Sequence, residues 1–198
     1  MSKISTSKNR TKRETITQQA AVLFRRKGYA SSTMRELAEE IGVEASSLYN
    51  HIGSKVEMLK EICFKVAEAF HSHLDETEKN LTSPTQKIES LIRFHIHMML
   101  DDFDAVYVSN HEWNQLKEPE LSSFLQLRRN YEKRMTDIVM KGIEEKQFSP
   151  GNASVIVFTI LSALRGLELW QRHKKNISKI ELENTMLQQL LHGILKNR

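Results

Sequence analysis

The stretch Thr33-Met34-Arg35-Glu36-Leu37-Ala38-Glu39-Glu40-Ile41-Gly42-Val43-Glu44-Ala45-Ser46-Ser47-Leu48-Tyr49 decides the fold. Thr33 with Glu36 three residues on is a capping box: the hydroxyl accepts from the N3 amide and the carboxylate returns to the cap amide. Met34, Leu37, Ala38 and Ile41 then recur at helical spacing, predicting a helix over about 34–40 that stops at Gly42. A second, shorter helix follows over about 45–51. Glycine suits the turn between them because it takes positive φ without a Cβ clash. Ala38 is small where two helices must cross closely, and Ile41, Val43 and Leu48 supply the contacts that fix their angle. The unit is a helix-turn-helix.

The second helix shows Ala45, Ser46, Ser47, Tyr49, Asn50 and His51 outward. Short polar side chains of this kind can approach base edges in a major groove, which admits a helix. Lys55, the amides opening the next helix and the helix start at Thr33 are expected to face phosphates, with Arg10, Lys12 and Arg13 flanking them.

Charge supports the same partner. Residues 1–60 hold 11 Lys/Arg against 6 Asp/Glu, and the remainder of the chain 18 against 19. A basic small domain beside a near-neutral larger one points to a polyanion. At 198 residues, with 39% hydrophobic and 27% charged residues, the chain is globular and not disordered. Seven Gly and three Pro disfavour a turn-rich all-β architecture, and the single cysteine, Cys63, excludes an internal disulfide and a multi-cysteine zinc module. Cys63 sits on an apolar stripe and reads as packed.

Helical period and start signals run on to the end. Five boxes stand ahead of apolar stripes: Thr11/Glu14, Thr33/Glu36, Ser54/Glu57, Ser83/Gln86 and Ser178/Glu181. They predict a helix from about 11 to Lys27 closed by Gly28, a long helix from Ser54, and one from Ser83-Pro84 burying Ile88, Leu91, Ile92, His95, Ile96 and Met99. Asp101 to Asp104 reads as a connector, a helix of about 105–116 follows, and Pro119 opens another. His71 and His73, two apart on a helix, read as solvated.

The last two helices, about 153–172 and 179–196, differ from the rest because their apolar residues spread round the axis. A helix hydrophobic on every face must be covered on every face. The expectation is that both pair with the same helices of a second copy as a four-helix bundle, with Ser162 and Gly166 allowing close approach. The alternative is a buried central helix in a monomer. The longest apolar run, Val155 to Leu164, is about half a bilayer span, and the polar, basic start lacks the apolar core of a signal peptide. The expected location is cytoplasmic, with no membrane segment.

Three groups of residues at fixed spacing resemble the tetracycline-repressor (TetR) family of bacterial transcription regulators. They are Ile16-x3-Ala20-x2-Leu23-Phe24-x3-Gly28-Tyr29, Thr33-Met34-x2-Leu37-Ala38-x3-Gly42-Val43 and Leu48-Tyr49-x-His51-x2-Ser54-Lys55-x3-Leu59. The resemblance implies an all-α homodimer: an N-terminal three-helix helix-turn-helix DNA-binding domain (1–53) plus a larger helical ligand-binding and dimerisation domain (54–198). It places Thr33, Tyr49, His51 and Lys55 at DNA-contacting positions, Tyr49 and Lys55 facing phosphate. Three positions depart from the family's pattern: Glu44 where a Ser or Thr cap is common, Ser46 where Gly is usual, and Ile52 where Phe is usual. Glu44 favours the positive helix end but sets a negative charge near DNA.

Beyond residue 60 only architecture transfers. Candidates for an effector pocket are Phe70, Phe94, His97, Met98, Phe103, Tyr107, His111, Trp113, Phe124, Tyr131 and Phe158. Aromatics and Met suit an apolar ligand, or an acyl thioester, held by a few polar anchors. The alternative for each is ordinary core packing. A metal site is a second alternative: His97 and Asp101 share a helical face, with Asp104, His111 and Glu112 following. That would make a metal-responsive regulator or a metal-dependent enzyme. No nucleophile–base motif, Gly-rich phosphate loop or HExxH is present, and the expectation is a non-enzymatic repressor, without cofactor, released from a palindromic operator by a small molecule.

Overall fold

The structure is a computed structural model describing residues 11–49, 53–173 and 177–192, with the side chains of Ser47 and 171–173 also outside the description. Every element among the described residues is helical. They are α1 (Lys12–Lys27), α2 (Met34–Ile41), α3 (Ala45–Tyr49), α4 (Lys55–Asn80), α5 (Pro84–Asp101), α6 (Phe103–His111), a 3₁₀ turn (Trp113–Gln115), α7 (Glu120–Glu144), α8 (Ala153–Arg165), α9 (Leu167–His173) and α10 (Lys179–His192).

Two compact units form: one from the chain up to Lys65 with Asp104–Leu121, the other from Val66–Phe103 with the chain from Ser122. In the first, α1 begins at a complete capping box, Thr11 Oγ1 accepting from Glu14 N at 3.2 Å and Glu14 accepting from Thr11 N at 2.9 Å. Ile16, Ala20, Leu23 and Phe24 from α1 are buried with Leu37, Ala38, Leu48, Met58, Leu59 and Ile62. Tyr29 closes this core edge-on to Phe24, with ring centres 5.2 Å apart. Cys63 is buried too. Asp104 at the start of α6 pairs with Arg25, and Glu112 accepts from Tyr29 N, which ties α6 and the segment after it into this unit.

In the second unit α5 buries Ile88, Leu91, Ile92, Ile96 and Met99, and α7 buries Phe124, Tyr131, Met135, Ile138 and Val139. Arg134 on α7 pairs with Asp75 and Glu78 on α4, each at 2.6 Å. Arg93 on α5 reaches Glu183 on α10, and Lys179 reaches Asp101.

Several sequence expectations are corrected. Ser83 makes no side-chain cap; its hydroxyl donates to Gln147 Oε1 at 2.8 Å, because a long-range partner outcompetes the local amide. Asp101 to Asp104 is no connector: α5 runs through Asp101, α6 starts at Phe103, and only Asp102 stands between. The helix expected over 105–116 ends at His111, and Trp113–Gln115 is a separate 3₁₀ turn. The helix expected over 153–172 breaks at Gly166, whose N–H bonds Ser162 O and whose carbonyl accepts from Leu169 N at 3.1 Å. The end of the final predicted helix, beyond His192, lies outside the described residues. By length and composition Ala153–Trp170 could cross a bilayer, a longer window than the apolar run singled out above. Here it is two helices, with Val157, Ile160, Leu164 and Leu167 buried inside the second unit.

Candidate nucleic-acid interface and effector site

The helix-turn-helix assembles from local rules. Thr33 Oγ1 accepts from Glu36 N at 3.2 Å, while Glu36 accepts from Thr33 N at 2.9 Å. Lys27 and the Thr33 hydroxyl hold the Glu36 carboxyl below the usual range, so the box stays charged and closed. Gly42 ends α2 in the left-handed region (φ 73°, ψ 36°), and Val43 N then bonds Ala38 O at 3.0 Å. Leu48 is fully buried and pins α3 against the first unit's core. That leaves Ser46 exposed and Ala45 half-buried, with Tyr49 51% exposed. Asn50, His51 and the Ser47 side chain lie outside the described residues.

The basic residues are less free than composition implies. Arg13 meets Glu57 at 3.1 Å and Glu61 at 2.8 Å, Lys27 meets Glu36, Arg26 meets Glu40, and Arg35 meets Glu39 at 3.1 Å. Each partner in these pairs is at least a quarter exposed, and surface pairs contribute about 0–1 kcal/mol, so exchanging a carboxylate for a phosphate costs little. Lys55 also has a local partner in the absence of DNA. Its ammonium is part-buried and donates to Ser32 O at 2.7 Å, a contact that residue spacing could not reveal.

In the second unit a cluster of aromatic and imidazole rings gathers from α4, α5 and α7. Phe70 stands 5.4 Å from Phe94, 4.3 Å from His95 and 5.8 Å from Tyr131, centre to centre. His95 Nε2 lies 3.0 Å from the Tyr131 hydroxyl. Burial, aided by the nearby Arg165 and His73, pushes the His95 pKa down to about 3. The ring is therefore neutral, and burial likewise raises the Tyr131 phenol well above its usual range.

His71 and His73 are not solvated as expected: His71 Nε2 bonds Leu127 O at 3.0 Å, and His73 stacks on Phe94 at 4.1 Å beside Ser90. Sequence reading left all three histidines out of the pocket set. The signal for His95 was its place in the buried stripe of α5, between Ile92 and Ile96.

Of the expected pocket residues, Phe70, Phe94 and Tyr131 come together. Met98 and Phe103 are half-buried in the same unit, and Phe124 is buried with the Arg128 guanidinium 5.9 Å from its ring centre. Tyr107, His111 and Trp113 belong to the first unit, where the rings of Tyr107 and His111 stand 4.3 Å apart. Phe158, at 66% exposed, and His97, exposed on α5, do not face the interior. The residues of the metal alternative have other partners. His97 Nε2 bonds Glu183 Oε2 at 2.8 Å, Asp101 pairs with Lys179, and Asp104 with Arg25. Among the described residues no three His, Cys, Asp or Glu stand together as metal ligands.

The described residues are helical throughout, with a capped helix-turn-helix in one unit and an aromatic cluster in the other, the arrangement of a two-part DNA-binding protein. Residues 16–62 match the family described as bacterial regulatory proteins, tetR family, and residues 81–194 match the tetracyclin repressor-like C-terminal domain. The chain belongs to the TetR family. It is similar to the transcriptional repressor KstR2 of Mycolicibacterium smegmatis, 22% identical over 189 residues covering 94% of this chain and 92% of that protein. Among solved structures it resembles the ketosteroid transcriptional regulator KstR2 of Mycobacterium tuberculosis (TM-score 0.88, 22% identity, 94% of this chain and 96% of that one). It also resembles AibR in complex with isovaleryl coenzyme A and operator DNA (TM-score 0.80, 18% identity, 91% and 98%).

Proposed function

We propose that this protein is a transcriptional repressor, released from a palindromic operator by a small hydrophobic or acyl-thioester effector. The carrying observation is the exposed face of α3, anchored by the fully buried Leu48 and bounded by the left-handed Gly42 turn. Thr33, Ala45, Ser46, Tyr49 and Lys55 belong to the DNA-contacting surface, and the sequence assigns Ser47, Asn50 and His51 to it as well. By sequence the DNA-binding domain is 1–53 and the effector-binding and dimerisation domain 54–198, of which residues 54–65 and 104–121 pack in the first compact unit.

The effector class is supported by the rings around His95 and by AibR, whose structure holds an acyl coenzyme A together with operator DNA. A neutral imidazole beside a phenol offers directed hydrogen bonds inside an apolar wall, which suits an uncharged carbonyl or ring system. Phe70, Phe94, Met98, Phe103, Phe124 and Tyr131 line the effector site. The protein carries out no catalysis and acts in the cytoplasm, where the operator is.

It works as a homodimer through the regions 153–172 and 179–196, which leave Val155, Phe158, Leu169 and Ile180 exposed on a single chain. Twofold symmetry sets two recognition helices about one DNA turn apart, and effector binding shifts the population toward a spacing that fits only one half-site. A coupling of about 1–3 kcal/mol suffices.

The test is selection of a duplex from a random 40-base-pair library, followed by titration with isovaleryl coenzyme A, longer acyl coenzyme A thioesters and free coenzyme A. The expected result is selection of a palindrome, and its release by an acyl thioester but not by free coenzyme A. Failure to select any duplex at low salt overturns the reading, and selection without release by any thioester overturns the effector class.

A further inference from the structure

The apolar stripe of α10 leaves one movement open. Leu182 and Leu187 are buried, and Met186 and Leu191 stand four residues beyond them. A slide of one turn, about 5.4 Å, brings the second pair into the places of the first. The opposite slide brings Ser178 and Glu183 there, which the buried leucine sites exclude. Charges cover the direction that the leucines leave open. Arg93, His97 and Asp101 recur every fourth residue along one face of α5, and Lys179 and Glu183 do so on α10. The two helices meet antiparallel through them: Glu183 Oε2 lies 2.8 Å from His97 Nε2, Glu183 Oε1 accepts from Arg93 Nη1, and Lys179 pairs with Asp101. Arg93 is steadied by Glu89 at 2.7 Å. The Glu183 side chain is only 15% exposed. Burial raises its pKa, yet the bonds from Arg93 and His97 outweigh that and hold the carboxyl below its usual range. The open slide carries this charge away from both partners and sets it opposite Asp101, like against like.

We propose that Glu183 is a positioning residue: held by Arg93 and His97 and repelled by Asp101, it fixes α10 at one axial position on α5 and so sets where α10 meets a second copy of the chain. The proposal rests on the dimer reading above. Ile180, large and 73% exposed, lies three residues before Glu183, so a slide of α10 displaces it by the same turn. Surface ion pairs contribute little to folding, but a charge placed where the apolar pattern is degenerate selects one register among several. Helix position and folding stability are therefore separable readouts.

The experiment measures helix position by electron–electron distance. Nitroxides are attached at Gln86→Cys on α5 and Asn184→Cys on α10, both exposed positions, in a Cys63→Ala background diluted into unlabelled protein. Gln86 lies toward the start of α5 from Arg93, so the open slide lengthens the distance. Glu183→Lys is repelled by Arg93 and His97 and attracted by Asp101, and is expected to lengthen it by about 3–5 Å. Asp101→Lys, at an exposed position, repels Lys179 and attracts Glu183, and is expected to act in the same direction. Glu183→Lys/Arg93→Glu re-forms the pair with its signs exchanged and should return the wild-type distance. Glu183→Gln keeps the shape without the repulsion and should stay near it.

Sedimentation equilibrium of the unlabelled variants is the second measurement. Self-association is expected to weaken by about tenfold in Glu183→Lys, and to stay within about threefold of wild type in Glu183→Gln and in the exchanged pair. An unchanged distance in Glu183→Lys, or in Asp101→Lys where Glu183→Lys does not fold, overturns the positioning role. A lengthened distance with wild-type self-association overturns its link to the second copy. If wild type sediments as a monomer, the dimer reading fails, and the distances still decide whether Glu183 sets the position of α10.

Discussion

The imidazole of His95 and the hydroxyl of Tyr131 meet at 3.0 Å, joining α5 to α7 inside the second unit. With its pKa pushed down to about 3 by burial and by Arg165 and His73, the folded ring stays neutral where an unfolded histidine takes a proton near pH 6.5. Between those limits the unfolded chain binds one proton more than the folded chain, so this group makes stability rise with pH. Its contribution is complete above about pH 6.5 and is lost on acidification, at about 1.4 kcal/mol per pH unit at most. Urea unfolding from pH 7 to pH 4 should show a steep loss of stability, and His95→Gln should flatten that limb by up to about one proton. Equal slopes in the two proteins would show that the ring is charged in the folded state. Tyr131 acts at the other end: its raised pKa means the unfolded chain ionises first, so stability falls above about pH 10 and Tyr131→Phe removes that fall.

Gly142 and Phe148 pack closely at the end of α7. A Cβ on Gly142 would meet Phe148 Cδ2 and Cε2 at 2.3 Å, and the Phe148 ring is fully buried. Alanine ordinarily stabilises a helix interior relative to glycine, but here the ring must leave its seat. Gly142→Ala is expected to cost about 1–3 kcal/mol, the usual penalty for overpacking. The double variant Gly142→Ala/Phe148→Leu should recover part of it, which thermal unfolding measures directly.

What the sequence made legible was local. The boxes at Thr11/Glu14 and Thr33/Glu36 close between residues three apart, and both are present with their reciprocal bonds. The buried face of α1 likewise follows from period alone, and on α2 Leu37 and Ala38 are buried while Met34 and Ile41 are half-buried. What stayed hidden depends on partners distant in sequence. Ser83 finds Gln147, Lys55 finds Ser32, and His73 finds Phe94 and Ser90. A helical period gives each residue its face on the helix but not what crosses that face. For this reason the set of pocket candidates was read as one group although Phe158 is exposed. The positive charge of the N-terminal third was also visible without its local carboxylates, since Arg13 meets Glu57 and Glu61 only once α1 and α4 are packed.

Phe158 and Ile180 are 66% and 73% exposed on a single chain, an unusual cost for large apolar side chains. Burying each against a second copy contributes about 1.5–3 kcal/mol, and a twofold interface counts it twice. Phe158→Asp should therefore weaken self-association by at least about 100-fold. Sedimentation velocity at micromolar protein checks this, with near-ultraviolet circular dichroism confirming that the chain remains folded. A wild-type protein that sediments as a monomer would remove the dimer from the proposed function.

Tyr49 supplies the last test, because it is half-exposed at the end of α3 while its neighbour Leu48 is buried. Exposure predicts that Tyr49→Ala leaves folding stability within about 0.5 kcal/mol of wild type. A phenol hydrogen-bonded to a phosphate contributes about 1.5–3 kcal/mol, so duplex affinity should fall by about tenfold or more, equally for selected and unrelated sequences. Tyr49→Phe removes only the hydroxyl and should reproduce most of that loss. A change in sequence preference with total affinity retained would instead place the ring against a base edge. Unaltered binding in both variants would mean that the duplex docks on another face of the motif.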